Sequence, residues 1–213
     1  MFYKDSRHVY RVPELDALPW LIHGFGTRLV DVPALYGSLA TLKQIHSAAC
    51  VPGEGRAGEL GRGDALIENT PGSVIAVKTA DCIPILLVDE RRRAIAAVHA
   101  GWRGTVAAIA RKAVEAMAAR FDTAPADLHA AIGPGIGKCC YEVGAEVAAR
   151  FGEQGRAHID LLEANCRQLT DAGVTPQHIY ASNLCTMCRP QEFHSFRRDK
   201  EAAGRLYSFA GIR

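Results

Sequence analysis

The segment SVIAVKTADCIPILLVDERRRAIAAVHAGWRGT, residues 73–105, decides the fold. It holds three short apolar runs rich in branched residues, at 73–79, 83–88 and 94–98, with a charged stretch at 89–93. Short apolar runs with tight polar connections predict adjacent strands, and the last two runs predict an antiparallel hairpin. Because three strands come before the first long helix, we expect an α+β fold in which mixed and antiparallel β-sheets pack together and are flanked by helices.

The hairpin predicts that Cys82 and His99 meet. Opposed residues of an antiparallel pair have a constant index sum, so a four-residue turn at 89–92 places residue 88 opposite residue 93 and Cys82 opposite His99. The Cβ atoms of directly opposed residues lie about 5 Å apart, a separation that suits two ligands of one metal ion. A one-residue bulge would break this pairing.

The rest of the chain predicts further strands and helices without a domain boundary. Apolar patterns predict strands at 19–27, 42–51, 64–68, 128–137, 178–183 and 206–212, with a glycine-rich loop at 52–63. Three- and four-residue apolar spacing predicts helices at 104–121, 143–152 and 158–173, the last of which ends on a Gly173 cap. No repeat or linker interrupts these patterns, so residues 1–213 are expected to form a single domain.

Composition narrows the class of protein. The chain has 213 residues, of which 48% are hydrophobic and 23% charged, and its net charge of +2 gives no reason to expect nucleic acid as a partner. No apolar stretch approaches the ~20 residues of a membrane helix, and the N-terminal residues lack the apolar centre of a signal peptide. We therefore expect a cytoplasmic protein with no membrane partner, in which the seven cysteines are free thiols, ligands or nucleophiles.

Three residues carry most of the chemical information: His46 in LKQIHS, Cys82 in TADCIP and His99 in AVHAGW. Each is a good ligand for a borderline-soft metal, and a site with three protein ligands leaves a fourth position open for water or substrate. A lone Cys82 would more often be a buried structural thiol, but the polar residues Thr79 and Asp81 and the following glycine-rich loop favour a site. For His46, read as part of a strand, the residues alone leave a ligand and a hydrogen-bonded core histidine equally open.

Several polar residues near this trio are candidates for substrate contact or proton transfer. Arg28 and Arg103 lie beside glycine turns, where they could hold an anionic group such as phosphate. Other basic side chains usually lie on solvated faces, among them Lys78, Arg197 and Arg198. Lys43 and Gln44 make the region before His46 unusually polar, and we expect both to contact substrate. Asp81 and Glu142 are the candidate proton-transfer groups.

Two glycine- and cysteine-containing motifs have less specific interpretations. GPGIGK at 133–138 lacks the spacing of a phosphate-binding P-loop, so we expect a tight turn that brings Cys140, Tyr141 and Glu142 to the site. Cys185-Thr-Met-Cys188 is a CxxC without a partner pair at zinc-finger spacing. A structural role is favoured for it, with a second metal or redox site as the minor alternative.

The histidine pattern argues against copper as the cofactor. Multicopper oxidases need closely spaced histidines, whereas the eight histidines here are scattered and no two are separated by a single residue.

Several phrases together resemble the YfiH-type laccase-domain family, also called the polyphenol oxidase or purine nucleoside phosphorylase family. They run in order from about residue 22 to about residue 205: LKQIHS, GDALI, VKTADCIPILLVD, AAVHAGWRGT, AIGPGIGKCCYEVG, NLCTMC and FHSFRRD. Two departures from the family pattern weaken the transfer of substrate contacts. Only a short segment separates Arg28 from LKQIH, and Phe196 stands where the family often has tyrosine.

The resemblance implies a function and a metal. It implies one zinc ion held by His46, Cys82 and His99, and a small-molecule nucleoside and phosphate as substrates. The implied reactions are phosphorolysis of adenosine, inosine, guanosine or methylthioadenosine, and deamination of adenosine. Some relatives are linked to peptidoglycan precursor editing, and the fold is similar to Cys-His hydrolases that include a bacterial deamidating toxin.

Two other functions remain as alternatives. Cys82 and His99 could act as a Cys-His amidohydrolase pair in peptidoglycan precursor editing. A metal-binding module without catalysis is the third.

Overall fold

The chain forms fifteen strands and seven α-helices in the computed structural model, which describes residues 1–213. The strands are β1 (Tyr3–Lys4), β2 (Val9–Arg11), β3 (Leu21–Gly26), β4 (Leu39–Lys43), β5 (Cys50–Pro52), β6 (Gly58–Arg62), β7 (Ala65–Glu68), β8 (Val74–Thr79), β9 (Ile83–Asp89), β10 (Ala94–Ala100), β11 (Leu128–Ile132), β12 (Glu142–Val143), β13 (Ala157–His158), β14 (Ile179–Ala181) and β15 (Leu206–Ile212). The helices are α1 (Pro13–Asp16), α2 (Val32–Leu35), α3 (Trp102–Val106), α4 (Ile109–Phe121), α5 (Ala145–Ala149), α6 (Leu161–Asp171) and α7 (Phe196–Asp199). None of the helices combines the length and the apolar character that a membrane crossing requires.

Two mixed sheets and a short two-stranded ribbon contain all the strands. The first sheet has the order β1-β2-β3-β15-β8-β4-β6, the second has the order β14-β11-β9-β10-β7-β5, and β12 pairs with β13. Most pairs are antiparallel, whereas β4 with β6, β4 with β8, β5 with β7 and β11 with β14 are parallel. The predicted α+β class with mixed and antiparallel sheets is therefore confirmed.

The apolar runs of the central segment are continuous because the second sheet is buried on both faces. Successive side chains of a strand point to opposite faces. In β9, Ile85 and Leu87 pack in a core with α4 and α6, whereas Leu86 and Val88 pack in a second core shared with the first sheet. A strand covered on both sides has no solvated face, so its sequence shows no polar alternation.

The predicted hairpin forms, but its register differs from the prediction by two residues. Asp89 pairs with Ala94, and His99 pairs with Pro84 rather than with Cys82. A shift of two residues keeps every side chain on its own face. Cys82, one residue before β9, therefore remains a diagonal neighbour of His99 on the same face, within reach of a shared ligand.

The register shifts because Asp89 belongs to the strand and not to the turn. Its carboxylate accepts hydrogen bonds from the backbone N–H groups of Arg91, at 2.9 Å, and Arg92, at 3.0 Å. An Asp that bonds to the backbone two and three residues onward starts a tight turn. The turn therefore covers residues 90–93, and Arg93 closes it with a left-handed φ of 47°.

Four predicted elements need correction. The predicted strand at 128–137 is shorter, since β11 ends at Ile132. The predicted strand at 42–51 is two strands, since β4 ends at Lys43 and β5 begins at Cys50, with a loop between them. The predicted loop at 52–63 contains β6. The predicted helix at 104–121 is divided into α3 and α4 at Ala108, whose φ is 59°. At this break the Thr105 carbonyl accepts the backbone N–H of Ala108 at 3.0 Å, which ends α3 in a tight turn, and it also accepts the Gln168 side chain at 2.7 Å.

The fully buried His23 in β3 links the first sheet to α1. Its Nε2 accepts a hydrogen bond from the backbone N–H of Val12 at 3.0 Å, so this nitrogen must be unprotonated. Burial lowers the pKa of His23 to about 4, the Arg11 charge acts in the same direction, and Asp16 opposes them. Below about pH 6.5 the unfolded chain therefore binds a proton that the folded chain does not.

We expect the free energy of unfolding to fall as the pH drops from about 6.5 to 4, with a contribution from His23 of up to about 3 kcal/mol. His23→Gln keeps a hydrogen-bond acceptor and removes the titration, so its stability should depend less on pH over this range. Urea unfolding at pH 7, 5.5 and 4.5 measures the difference. His8→Asn, at an exposed histidine, serves as the control, and pH profiles of equal slope for wild type and His23→Gln would contradict the prediction.

Candidate functional site

The three predicted metal ligands converge at one point. One ligand atom from each of His46, Cys82 and His99 lies within 4.8 Å of the other two. The two imidazole rings have centroids 4.9 Å apart and are nearly perpendicular, at 76°. His99 is buried at the end of β10, whereas His46 is exposed.

The Asp64 carboxylate contacts both the loop that carries His46 and the ring of His99. This fully buried carboxylate accepts hydrogen bonds from the backbone N–H groups of Ile45, His46 and Ser47 at 3.3, 3.0 and 2.6 Å. It also accepts the Ser47 hydroxyl at 2.7 Å and lies 2.9 Å from Nδ1 of His99. Wrapping around this carboxylate gives His46 a left-handed φ of 57°. His46 therefore lies in a loop and not in the strand that the sequence predicts.

The same contacts set the charge state of the trio. Burial raises the pKa of Asp64, but hydrogen bonds from His99 and Ser47 outweigh it and lower the pKa to about 2. Burial lowers the pKa of His99, but Asp64 and Cys82 raise it to about 9. Burial also raises the pKa of the Cys82 thiol, but hydrogen bonds with His46 and His99 bring it to about 6. At neutral pH Cys82 is thus a thiolate, the form that binds metals and acts as a nucleophile.

Gly101 is required at this site because a side chain there has no room. A Cβ at Gly101 would lie 2.9 Å from Sγ of Cys82 and 3.1 Å from Cδ2 of His46. Gly101→Ala should therefore displace one of these groups and lower the affinity for Zn²⁺, the metal that the family resemblance implies, by about tenfold or more, measured by competition titration. Gly37→Ala is the matched control, since no atom lies within 4 Å of its added Cβ. Equal Zn²⁺ affinity in the two variants would contradict the prediction.

The trio opens into a cavity of about 750 Å³, a size typical of small-molecule sites. The sequence-predicted residues Lys43, Gln44, Asp81 and Tyr141 line it. Basic residues contribute more charge to the lining than acidic ones. The cations are Lys43, Lys78, Arg197, Lys200 and Arg205, and the carboxylates are Glu59 and Asp81. A wall of this kind favours an anionic ligand.

Asp81 anchors a neighbouring loop. It is buried, with a left-handed φ of 87°, and its carboxylate accepts the hydroxyls of Thr186 at 2.6 Å and Ser195 at 3.1 Å. It also accepts the backbone N–H of Arg197 at 2.7 Å. Three donors occupy the carboxylate that the sequence suggests for proton transfer, and they fix the start of α7, which carries Phe196 and Arg197 into the cavity lining.

Gln44 and Tyr141 both line the cavity, but their side chains make different kinds of contact. Gln44 acts as a backbone extension, donating to the Lys78 carbonyl at 2.7 Å and accepting from the Lys78 N–H at 2.8 Å. The Tyr141 ring lies 5.4 Å from the Arg197 guanidinium carbon. Burial raises the pKa of Tyr141 to about 12, so its hydroxyl remains a hydrogen-bond donor at neutral pH.

Two residues of the GPGIGK turn region do not reach the cavity. Glu142 begins β12, and its carboxylate lies 4.0 Å from Arg156 on the exposed side of the ribbon. Cys140 points to a different cluster, where its sulfur lies 3.3 Å from that of Cys188. The hydrogen-bonded turn covers residues 138–140 rather than the predicted 133–138, because the N–H groups of Cys140 and Tyr141 donate to the Gly137 carbonyl at 3.0 and 3.1 Å. Of the three residues expected from the predicted turn only Tyr141 lines the cavity.

The two arginines expected beside the glycine turns also lie outside the cavity lining. Arg28 donates to the Pro190 carbonyl at 2.8 Å, and the Arg103 guanidinium stacks on the Trp102 ring at 4.5 Å. The cations that do line the cavity come from β8, α7 and the segment after α7 as well as from Lys43. Lys200, Arg205 and Glu59 carried no sequence signal beyond their charge.

A comparison with known families places the chain. Residues 27–213 match the family described as "Multi-copper polyphenol oxidoreductase laccase". The chain belongs to this family. The family therefore extends over nearly the whole chain and includes the three residues that converge at the cavity.

Named relatives and solved structures in the family agree with this assignment. Over 183 residues, 81% of the chain, it is 40% identical to a protein of Deinococcus radiodurans named purine nucleoside phosphorylase, and covers 70% of that protein. Over 163 residues, 70% of the chain, it is 42% identical to adenosine deaminase RL5 from an unknown prokaryotic organism, and covers 61% of that protein. The crystal structure of the Bacillus licheniformis hypothetical protein YfiH matches with a TM-score of 0.91 at 25% identity, covering 100% of this chain and 99% of that one. The YfiH-type resemblance is confirmed.

Proposed function

We propose that the chain is a zinc-dependent purine nucleoside enzyme, which cleaves adenosine, inosine, guanosine or methylthioadenosine with phosphate and also deaminates adenosine. The observation that carries the proposal is the cavity itself, where a His-Cys-His trio meets a mainly basic wall and two aromatic residues, Tyr141 and Phe196. Relatives named purine nucleoside phosphorylase and adenosine deaminase support the same reactions.

The donor set fits zinc. Two imidazoles and a thiolate within 4.8 Å of one another are the ligand types that zinc prefers, and three protein ligands leave a position open. Nδ1 of His99 is hydrogen-bonded to the Asp64 carboxylate, so Nε2 is the nitrogen that can bind a metal. A carboxylate bonded to the other ring nitrogen of a metal-binding histidine is common at zinc sites. A bound zinc ion would supply Lewis acidity at the open position. The scattered histidines favour zinc over a copper cluster.

The wall suggests how the substrates are held. In phosphorolysis a phosphate oxygen bonds to C1′ of the ribose while the bond from C1′ to the purine nitrogen breaks, and the purine leaves as it gains a proton. Lys43, Lys78 and Arg205 are available to bind the phosphate charge. Tyr141 and Phe196 offer ring faces for the purine. The protonated Tyr141 hydroxyl can donate a hydrogen bond to the departing base.

Asp81 has a positioning role in this proposal. Because three donors occupy its carboxylate, we assign it to fixing the loop that carries Arg197. The proposal assigns substrate binding only to residues that line the cavity, which excludes Glu142, Arg28, Arg103 and Cys140.

One observation favours the amidohydrolase alternative. Cys82, His99 and Asp64 form a thiolate, an imidazole and a buried carboxylate in series, the order found in Cys-His hydrolases. The same thiolate is either a metal ligand or a nucleophile toward an amide carbon. An amide substrate from peptidoglycan precursors would suit the second role.

The test measures metal content and turnover in the same preparation. The purified chain is assayed with adenosine, inosine, guanosine and methylthioadenosine, each with and without inorganic phosphate, and zinc is measured by elemental analysis. We expect phosphate-dependent release of free base and phosphate-independent release of ammonia from adenosine. Both should disappear after chelation and return with Zn²⁺.

Other outcomes separate the alternatives. Full activity in chelated, metal-free protein would refute the zinc enzyme. Hydrolysis of an amide that chelation leaves intact and Cys82 alkylation abolishes would establish the amidohydrolase. Stoichiometric zinc without turnover of any nucleoside or amide substrate would leave only a metal-binding module. The seven unpaired thiols are consistent with a reducing, cytoplasmic location for any of these roles.

A further inference from the structure

Four cysteines outside the cavity trio form a second cluster. The sulfur atoms of Cys139, Cys140, Cys185 and Cys188 all lie within 4.8 Å of one another. Three of the separations are 3.6 Å for Cys139–Cys140, 3.7 Å for Cys139–Cys188 and 3.3 Å for Cys140–Cys188. The sequence favours a structural role for the CxxC because no partner pair stands at zinc-finger spacing. The fold supplies that pair from an adjacent Cys-Cys some 45 residues upstream.

Backbone contacts bring the two pairs together. Gly135 and Cys185 form a parallel bridge, and the N–H of Thr186 donates to the Gly135 carbonyl at 2.9 Å. The N–H of Gly137 donates to the Cys185 sulfur at 3.3 Å, a bond that a thiolate ligand accepts well. A Cβ at Gly137 would lie 3.2 Å from the Cys139 sulfur, so this glycine lets the backbone approach the cluster.

We propose that Cys139, Cys140, Cys185 and Cys188 bind a second zinc ion, with four thiolate ligands and a structural role. The proposal shares no residue with the cavity trio and does not depend on nucleoside chemistry. A closed four-cysteine set leaves no open position, which separates a structural zinc from a catalytic one.

The sulfur separations favour a single tetrahedral ion. Zinc–sulfur bonds of about 2.3 Å at tetrahedral angles place the sulfurs about 3.8 Å apart. The Cys139–Cys140 and Cys139–Cys188 separations of 3.6 and 3.7 Å are close to this value, and the Cys140–Cys188 separation of 3.3 Å is shorter. A disulfide would need two sulfurs at about 2.05 Å, and an iron–sulfur cluster would hold its cysteines further apart. The CxxC spacing of Cys185 and Cys188 is one of the common zinc-ligand spacings.

The proposed zinc would brace the wall of the cavity. Cys140 directly precedes Tyr141, which lines the cavity, and Thr186 lies between the two later cysteines and donates to Asp81. An ion joining these two loops would therefore hold Tyr141 and the Asp81 anchor in fixed relation. Cys140 and Cys185 pack against the core, whereas Cys139 and Cys188 are exposed. A bound zinc ion would therefore tie the exposed ends of both loops to that core.

The experiment counts zinc in protein purified with a reductant and without chelator. Wild type is expected to hold two zinc ions per chain, and Cys185→Ser/Cys188→Ser one. Cys166→Ser, at a half-buried cysteine outside the cluster, is the matched control and should keep two. His46→Ala/His99→Ala removes the cavity site and should keep one, whose X-ray absorption spectrum shows four sulfur neighbours at about 2.3 Å.

The cavity variant keeps the test decisive even if Cys185→Ser/Cys188→Ser fails to fold. A His46→Ala/His99→Ala protein that holds no zinc, or zinc with nitrogen or oxygen neighbours, would overturn the proposal. So would iron in place of zinc, or an intact mass lowered by the two hydrogens of a disulfide in the reduced preparation. Because this variant has no cavity ligands left except Cys82, its result is independent of whether the chain acts on nucleosides.

Discussion

Cys82→Ala is expected to remove the metal ion from the cavity and to lower kcat/KM for nucleoside phosphorolysis by about a thousandfold or more, equivalent to about 4 kcal/mol. Cys82 is the only thiolate of the trio, and two imidazoles alone hold zinc weakly. The remaining His99 would also lose one of the two partners that raise its pKa. Zinc content, and initial rates with inosine and phosphate, measure the effect.

Cys50→Ala is the matched control, because Cys50 is a half-buried thiol in β5 outside both cysteine-containing sites. Its zinc content and rates should match those of wild type. Retention of zinc and of activity in Cys82→Ala would refute the assignment of Cys82 as a ligand.

A second substitution separates the two roles of the thiolate. Cys82→Asp offers a carboxylate that binds zinc but cannot act as a thiol nucleophile. If Cys82 is a ligand, Cys82→Asp should bind zinc more tightly than Cys82→Ala and recover part of the activity. If Cys82 is a nucleophile, both variants should be equally inactive.

The convergence of Cys82 and His99 was predictable because it depends only on local counting. Two adjacent strands with a short turn bring their ends together, and side-chain direction depends on index parity. The predicted turn at 89–92 lies one residue before the observed turn at 90–93. The index sum of paired residues is therefore two higher than predicted, and its parity is the same. An error of one in the sum would have put the two side chains on opposite faces.

His46 and the four-cysteine cluster were not predictable in the same way, because each depends on contacts between distant segments. The conformation of the His46 loop comes from a carboxylate 18 residues away in sequence. Cys140 and Cys188 are 48 residues apart and meet through a bridge at Gly135. Spacing rules find metal sites whose ligands lie on one local motif, and they miss sites that the tertiary fold assembles.

Local sequence context also failed to predict which charged residues line the cavity. Arg28 and Arg103 were expected at the cavity because they stand beside glycine turns, but long side chains reach carbonyls and rings as readily as an open space. Lys200 and Arg205 line it because α7 and the segment after it fold back beside the trio. That path depends on Asp81, whose partners lie more than 100 residues away.

Asp64→Asn is expected to weaken zinc binding by the cavity trio by about 10- to 100-fold and to lower the free energy of unfolding by about 2–4 kcal/mol. Asp64 is fully buried and takes donors on both oxygens, from three backbone N–H groups, the Ser47 hydroxyl and the His99 ring. An amide has one acceptor oxygen, so its NH₂ group must face some of these donors. Either the His99 ring loses its partner or the loop around Ser47 does.

Asp89→Asn is the control for Asp64→Asn, because Asp89 is also a buried aspartate that caps a turn, at the far end of the same hairpin. It should lower stability without changing zinc affinity, whereas Asp64→Asn should change both. In zinc-free protein the pKa of His99, followed by NMR, should fall below about 9 in Asp64→Asn only, since the charged partner that raises it is gone. Unchanged zinc affinity and an unchanged His99 pKa in Asp64→Asn would show that Asp64 supports the loop alone. A fall in both would show that the carboxylate sets the ligand geometry and basicity of His99.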